Sequence, residues 1–281
     1  MTPDQPETYP RPPRDLYIYL IKGIVRHNDE ILFGSHFLGN WVEEKNSFLF
    51  FSKPSRDRIN QLLTHRPDIE IEDEFYFRYD EWQGGGIDPL TIDPFVIVPP
   101  WVESAPQADL LTILLDPGLV FGNCHHPTTR ACLSALAVAA RTSGFQRVLD
   151  LGTGTGILSL AAAALGAGEV LAVDLNPLCV KTAVRNVELN GLTGLVRVME
   201  GRAEDVADDP ADLIVANIHY EVILRLLKQG AFKRAATVIL SGLLRSQYRD
   251  VVFRLKNIGF HPVREWDHEM TWHTVLGARQ G

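Results

Sequence analysis

The sequence predicts an α/β protein in which a doubly wound, mostly parallel seven-stranded sheet follows a smaller α+β domain. Three observations carry that expectation. From Arg147 onward, apolar strand-like runs alternate with helical patterns, as in a parallel sheet covered by helices on both faces. Glycines at 152, 154 and 156 mark the turn between the first of these strands and its helix. A Pro-rich polar stretch, PPWVESAPQ, divides this region from an earlier one of short β-rich runs.

A chain of 281 residues exceeds one average domain, so two domains are expected. An apolar fraction of 46% with 22% charged residues is ordinary globular usage. No stretch approaches the ~20 apolar residues that span a bilayer, and MTPDQPETYPRPPR offers no apolar core for a secretory signal. Cys124, Cys132 and Cys179 are too few and scattered for a disulfide framework, which fits the cytoplasm. The net charge of −8 is uneven: residues 1–108 hold 18 acidic and 10 basic side chains, the remainder 17 of each. An acidic front half is a poor match for nucleic-acid phosphates and attracts a basic protein; solubility alone is the plainer use of that charge.

Taken in order, residues 1–14 read as a Pro-rich disordered tail. Residues 15–101 form the small α+β domain, with strands in DLYIYLIKGIV, SFLFF and FVIV. One helix, PSRDRINQLLTH, has Ser52 as its expected N-cap and Pro54 near its start. The turn WQGGGIDP interrupts this domain, 102–112 is a connector, and 113–281 is the sheet domain. Its strands are RVLDLG, EVLAVDL, LVRVME, DLIVAN and TVILSG, with helices in ILSLAAAALGA, PLCVKTAVRNVELNG, EVILRLLKQ and SQYRDVVFRLKNIG. The closing runs FHPVREWD and TWHTVLGA leave room only for a short turn, so an antiparallel hairpin is expected at a sheet edge.

VLDLGTGTGILSL places Gly152 and Gly154 where a ligand must approach turning backbone. Many α/β domains turn on glycine without a ligand, so the neighbouring carboxylates matter. Asp174 closes the next strand, where an acidic side chain accepts hydrogen bonds from ribose hydroxyls. Asp150 ends the first strand; it repels a pyrophosphate and attracts an ammonium or sulfonium, or else caps loop amides. The third glycine also comes one position early for a dinucleotide loop, Ile157 standing where that pattern ends. This combination favours S-adenosylmethionine over a nicotinamide dinucleotide. Gly201-Arg202-Ala203-Glu204-Asp205 is expected beside the adenine.

LLDPGLVFGNCHHPTTRACLSAL upstream of the loop and DLIVANIHY downstream, with VLDLGTGTGILSL, AVDLNP and ILSGLL, resemble the ribosomal protein L-eleven methyltransferase family (PrmA). Asp116-Pro117-Gly118-Leu119, Phe121-Gly122 and His126-Pro127-Thr128-Thr129 are the most specific elements. The resemblance implies a class I methyltransferase domain of Rossmann-like fold behind a smaller substrate-recognition domain. It also implies methylation of lysine side-chain or N-terminal amines on a ribosomal protein, so a basic large-subunit ribosomal protein is the expected partner; the chain itself is expected to be a monomer. It places cofactor contacts on Thr129, Gly152, Asp174 and Asn217. Two departures stand out: Asn123-Cys124-His125 replaces the family's usual Thr-Gly-Thr, and Ile218-His219-Tyr220 replaces small apolar residues after Asn217.

Amine methylation needs a neutral lone pair, so Asn217 is the expected orienting residue and His126 or His219 a possible proton relay, although loop histidines are more often structural. Cys124-His125-His126 invites a metal reading, but adjacent side chains rarely converge on one ion, and no metal is expected. Two rivals remain: a methyltransferase for another protein or an amide acceptor, since Asn217–Tyr220 partly matches an N-P-P-Y tetrapeptide, and an inactive cofactor-binding module.

Overall fold

The computed structural model describes residues 9–86, 88–103 and 109–279. The expected tail and connector thus lie partly outside the described residues, at 1–8 and 104–108. The chain divides into two compact units, Met1–Ile87 and Asp88–Gly281.

The first unit is built on strands β1 (Asp15–Lys22), β2 (Phe37–Glu43) and β3 (Asn46–Phe51), helix α1 (Arg56–His65), strand β4 (Glu70–Arg78) and a one-turn helix α2 (Tyr79–Trp82). Its antiparallel sheet runs β2-β3-β1-β4. Side chains alternate across a strand, so Tyr19 and Ile21 of β1 fall on one face. There they join Leu49 and Phe51 of β3 and Ile59 and Leu62 of α1 in a buried core. The helix starts later than Ser52 suggests. Its N-cap position is Ser55, which makes no side-chain cap bond; its hydroxyl donates to the Lys53 carbonyl at 2.9 Å. Pro54 holds the residue before it out of helical geometry, and Ser52 instead donates its hydroxyl to the His36 carbonyl.

The second unit opens with β5 (Leu90–Ile92), β6 (Phe95–Val98) and β7 (Leu111–Leu114), a small sheet of its own. The run Phe95–Val98, grouped with the first domain on sequence grounds, therefore pairs with Leu111–Leu114 instead. Then follow α3 (Pro127–Thr142), β8 (Arg147–Leu151), α4 (Ile157–Ala164), β9 (Glu169–Asp174), α5 (Pro177–Leu189) and β10 (Val196–Glu200). The chain ends through α6 (Ala203–Val206), β11 (Leu213–Asn217), α7 (Tyr220–Gln229), β12 (Thr237–Leu244), α8 (Arg245–Asn257), β13 (Phe260–His268) and β14 (Trp272–Arg279).

The large sheet has the seven strands expected, in the order β10-β9-β8-β11-β12-β14-β13. The first five are parallel; β14 runs antiparallel to β12, and the β13–β14 hairpin forms the edge. Both faces are covered, which explains the nearly continuous apolar runs. Val148, Val170 and Val215 meet the side of α3 and α4. Leu149, Ile214 and Leu240 meet that of α7 and α8. Strand order reverses at β8, with β9 and β10 on one side and β11 and β12 on the other. Open α/β sheets bind ligands outside the carboxyl ends of strands at such a reversal. Among the described residues, no helix is long and apolar enough to cross a membrane.

Candidate functional site at the carboxyl ends of the parallel strands

Strand β8 delivers Asp150 and Leu151 into the turn Gly152–Gly156, after which α4 begins at Ile157. The turn folds over the end of β9, where the Gly152 and Thr153 N–H groups both donate to the Val173 carbonyl, at 2.8 and 3.0 Å. Gly152 and Gly154 take φ of +78° and +56°, in the left-handed region. Space as well as torsion demands glycine here. A Cβ on Gly152 would lie 2.2 Å from Ile218 Cγ2, and one on Gly154 2.4 Å from the Phe121 carbonyl oxygen.

Asp174 sits at the end of β9, beside this loop. Its Oδ2 accepts the Gly154 N–H at 2.9 Å and its Oδ1 the Asn176 N–H at 2.9 Å. Burial pushes its pKa up, opposed by those two backbone donors. Each carboxylate oxygen has a second lone pair, so the group can still accept from a ligand hydroxyl. Asp150 is wholly buried and turned beneath the loop. Its Oδ2 accepts from the hydroxyls of Thr153 at 2.6 Å and Ser159 at 2.7 Å. Burial drives its pKa up to about 6, and the two hydroxyls limit the rise. Sequence reading missed Thr153 and Ser159; a hydroxyl at each end of the strand-to-helix turn is the signal that points to them.

The segment before the loop is bound to it rather than merely near it. The Thr155 N–H donates to the Phe121 carbonyl at 3.1 Å, and its hydroxyl to the Gly122 carbonyl at 2.9 Å. This segment then enters α3, with Pro127 in the first turn and His126 at the N-cap. His126 Nδ1 accepts the Thr128 N–H at 3.4 Å and lies 2.7 Å from the Thr128 hydroxyl. Its ring is held edge-on between Phe121 and Trp272, with centroids 5.3 and 5.0 Å away. Burial lowers its pKa, with His268 adding to the effect. Thr129 is buried one residue further along the helix.

Asn217 closes β11, adjacent to β8 in the sheet. The unusual residues after it have distinct placements. Ile218 covers Gly152, His219 is exposed at the N-cap of α7, and Tyr220 donates its hydroxyl to Asp250 at 2.9 Å. The other unusual stretch is a tight turn in which Cys124 takes φ +68°. Its carbonyl accepts from Arg130 Nε at 2.7 Å, and its thiol is buried, with a pKa pushed up to about 12 by that burial. Among the described residues, no group of three or more His, Cys, Asp or Glu side chains is placed to hold a metal ion. Glu204, in the stretch expected near an adenine, is engaged by Arg225 at 2.9 Å and Arg202 at 3.5 Å.

The expected cofactor residues thus stand on α3 (Thr129), on β8 and its turn (Asp150, Gly152), at the end of β9 (Asp174) and at the end of β11 (Asn217). Two buried oxygens among them, Thr129 Oγ1 and Asp150 Oδ1, have no hydrogen-bond partner in the protein. Unmet buried acceptors are costly, and both belong to residues the sequence singled out for a polar, positively charged ligand. The residues present fit S-adenosylmethionine.

Comparison with known proteins gives a consistent picture. A family model described as ribosomal protein L11 methyltransferase (PrmA) matches residues 79–280. The ribosomal protein L11 methyltransferase of Halalkalibacterium halodurans is 42% identical over 257 residues, covering 87% of this chain and 76% of that protein. The protein of the same name from Heliobacterium modesticaldum is 40% identical over 188 residues, covering 66% of this chain. The chain spans 58% of that relative's length and 60% of the one from Geobacillus kaustophilus. Among solved structures, a ribosomal protein L11 methylase from Lactobacillus delbrueckii subsp. bulgaricus superposes with a TM-score of 0.58 at 31% identity. That match covers 69% of this chain and 99% of the other.

Proposed function

This chain belongs to the ribosomal protein L11 methyltransferase family, and from that premise we propose that it methylates amino groups of a large-subunit ribosomal protein, using S-adenosylmethionine. The observation that carries the proposal is that Asp150 and Gly152, Asp174 and Asn217 lie at the carboxyl ends of three adjacent parallel strands, β8, β9 and β11, where strand order reverses.

In this reading Asp174 takes the ribose hydroxyls of the donor, and the bare backbone at Gly152 and Gly154 lets the donor lie against the turn. Asp150, wholly buried, holds the turn through Thr153 and Ser159, and its charge favours a cationic donor. When bound, S-adenosylmethionine supplies a methyl group activated by attachment to a sulfonium sulfur. The protein's share is positioning and desolvation. A lysine amine, with an ordinary pKa of about 10.4, must first be neutral. Asn217 serves this because its side-chain oxygen accepts an N–H and holds the lone pair toward the methyl carbon. Desolvation at the strand ends lowers the amine's pKa further. The proton displaced on transfer leaves to water.

His126 fits a positioning role better than a proton relay. Its Nδ1 is engaged by Thr128, 2.7 Å from that hydroxyl, and its ring is wedged between Phe121 and Trp272 at the cap of α3. The protein works as a monomer in the cytoplasm, without contact to nucleic acid. Its acidic residues 1–108 steer the basic acceptor by long-range attraction.

The test is transfer of tritiated methyl from labelled donor into extract of cells lacking this protein. A labelled small basic ribosomal protein is the expected outcome. Label on another protein changes the acceptor, and no label from a preparation that binds S-adenosylhomocysteine removes the enzymatic reading.

A further inference from the structure

Asn186 in helix α5 and Asn190, the residue at its C-cap, lie one turn apart, and both clasp the strand that leads into the Asp116–Thr129 segment. Asn190 Oδ1 accepts the Leu114 N–H at 2.9 Å, and its Nδ2 donates to the Leu114 carbonyl at 2.7 Å. Asn186 repeats the pattern two residues on, accepting the Asp116 N–H at 2.9 Å and donating to the Asp116 carbonyl at 2.9 Å. A side-chain amide has the donor and acceptor geometry of a backbone unit, so the helix extends the strand's pairing where no neighbouring strand does.

Each Nδ2 donates a second time, and the two clasps differ in where that bond goes: the one from Asn190 returns to the Asn186 carbonyl at 2.7 Å. Asn186 Nδ2 makes a second donation, to the Thr155 carbonyl at 2.8 Å, in the middle of the glycine turn. Asn186 is completely buried, so these bonds are made away from water, where a lost partner is most costly. Thr155 is the residue whose N–H and hydroxyl hold the Phe121 and Gly122 carbonyls. One side chain therefore joins three segments: the end of β7, the glycine turn and α5.

We infer that Asn186 is a positioning residue for the donor site, setting the glycine turn against the Asp116–Gly122 segment so that Gly152 and Thr129 face the same ligand. This rests on the proposed donor site and adds a residue that touches neither donor nor acceptor. Asn190 makes an equivalent clasp without reaching the turn, so it separates positioning from general support of the strand.

The experiment compares Asn186→Ala with Asn190→Ala in the full chain. The readouts are the urea unfolding midpoint, calorimetric titration with S-adenosylhomocysteine, and amide hydrogen exchange across residues 152–156. Both variants are expected to lower the midpoint. Only Asn186→Ala is expected to weaken the titrated ligand, by about tenfold or more, and to speed exchange in the turn, since it alone strips a buried partner from Thr155. Should Asn186→Ala fail to fold, Asn186→Ser retains a small polar group at the site and is read in the same way. Equal weakening by both variants, or unchanged exchange in the turn with Asn186 altered, overturns the inference. If the unaltered protein binds no S-adenosylhomocysteine, the donor reading fails, and exchange at 152–156 still decides whether Asn186 holds the turn.

Discussion

The Cγ2 of Ile218 lies 2.2 Å from where a Cβ on Gly152 would stand. The residue after β11 thus fills the space that the first glycine of the β8 turn leaves open. Strand pairing sets this contact, because β8 and β11 are adjacent and parallel, with Leu151 beside Ala216. Gly152→Ala therefore meets two obstacles, a left-handed φ of +78° and a collision with Ile218. The torsion alone costs a non-glycine residue about 1–2 kcal/mol. Urea unfolding should show a larger loss in Gly152→Ala than this, partly recovered when Ile218→Ala is added. Equal midpoints for the single and double variants would mean that Ile218 moves aside at no cost.

Asp150 gives the stability curve a sign opposite to that of a paired surface carboxylate. Its pKa is raised from an ordinary 3.8 to about 6, chiefly by burial. Between these values the folded state binds the extra proton, so stability falls as pH rises from about 4 to about 6 and stays lower above. Two pKa units correspond to about 3 kcal/mol, an upper figure for a group that can draw water toward itself. Asp150→Asn keeps an acceptor for the Thr153 and Ser159 hydroxyls and removes the titration. The difference between variant and parent unfolding free energies, measured from pH 4 to 7, should rise in favour of the variant across that window. A constant difference would place the Asp150 pKa near its ordinary value.

What was legible in the sequence follows from how each feature is specified. Strands β8, β9, β11 and β12 are covered on both faces, so each carries a nearly continuous apolar run, visible without any partner. The β13–β14 hairpin was legible because only a short turn fits between its runs. Strand β4 was missed because EIEDEFYFR is an edge strand, largely exposed, and needs no apolar alternation. Thr129 and the cofactor role of Asn217 came from a resemblance alone, whereas Gly152, Asp174 and Asp150 were also readable from the glycine turn and the carboxylates at the strand ends. Asn186 was invisible because its partners, Asp116 and Thr155, lie 70 and 31 residues away, and no local pattern encodes such pairing.

Cys124 is a non-glycine residue that takes a glycine-like φ of +68°. The thiol compensates by being fully buried. Cys124→Gly relieves torsional strain and gives up the buried thiol, two opposed effects of about 1 kcal/mol each. Its unfolding midpoint should remain close to the parent's. Cys124→Val adds a β-branched side chain where left-handed geometry is least tolerated, and it should lose about 2 kcal/mol or more. Comparable midpoints for the glycine and valine variants would show that the turn relaxes to a negative φ.

Asn217 and His126 are separated by asking which substitution affects turnover and which affects the fold. Asn217 closes β11 with its side chain half-buried at the strand ends, so Asn217→Ala should leave the unfolding midpoint nearly unchanged. If the amide oxygen orients the acceptor amine, methyl transfer should fall by orders of magnitude, mainly in kcat, because misplacement of a reacting atom is felt in the transition state. His126→Asn keeps a good N-cap for α3 and removes the imidazole. It should retain stability and most of its turnover, with a pH profile parallel to the parent's, whereas His126→Ala should lose about 1 kcal/mol of stability with its cap. Near-normal kcat in Asn217→Ala together with a collapse in His126→Asn would exchange the two assignments, making the histidine the group in contact with the reacting amine.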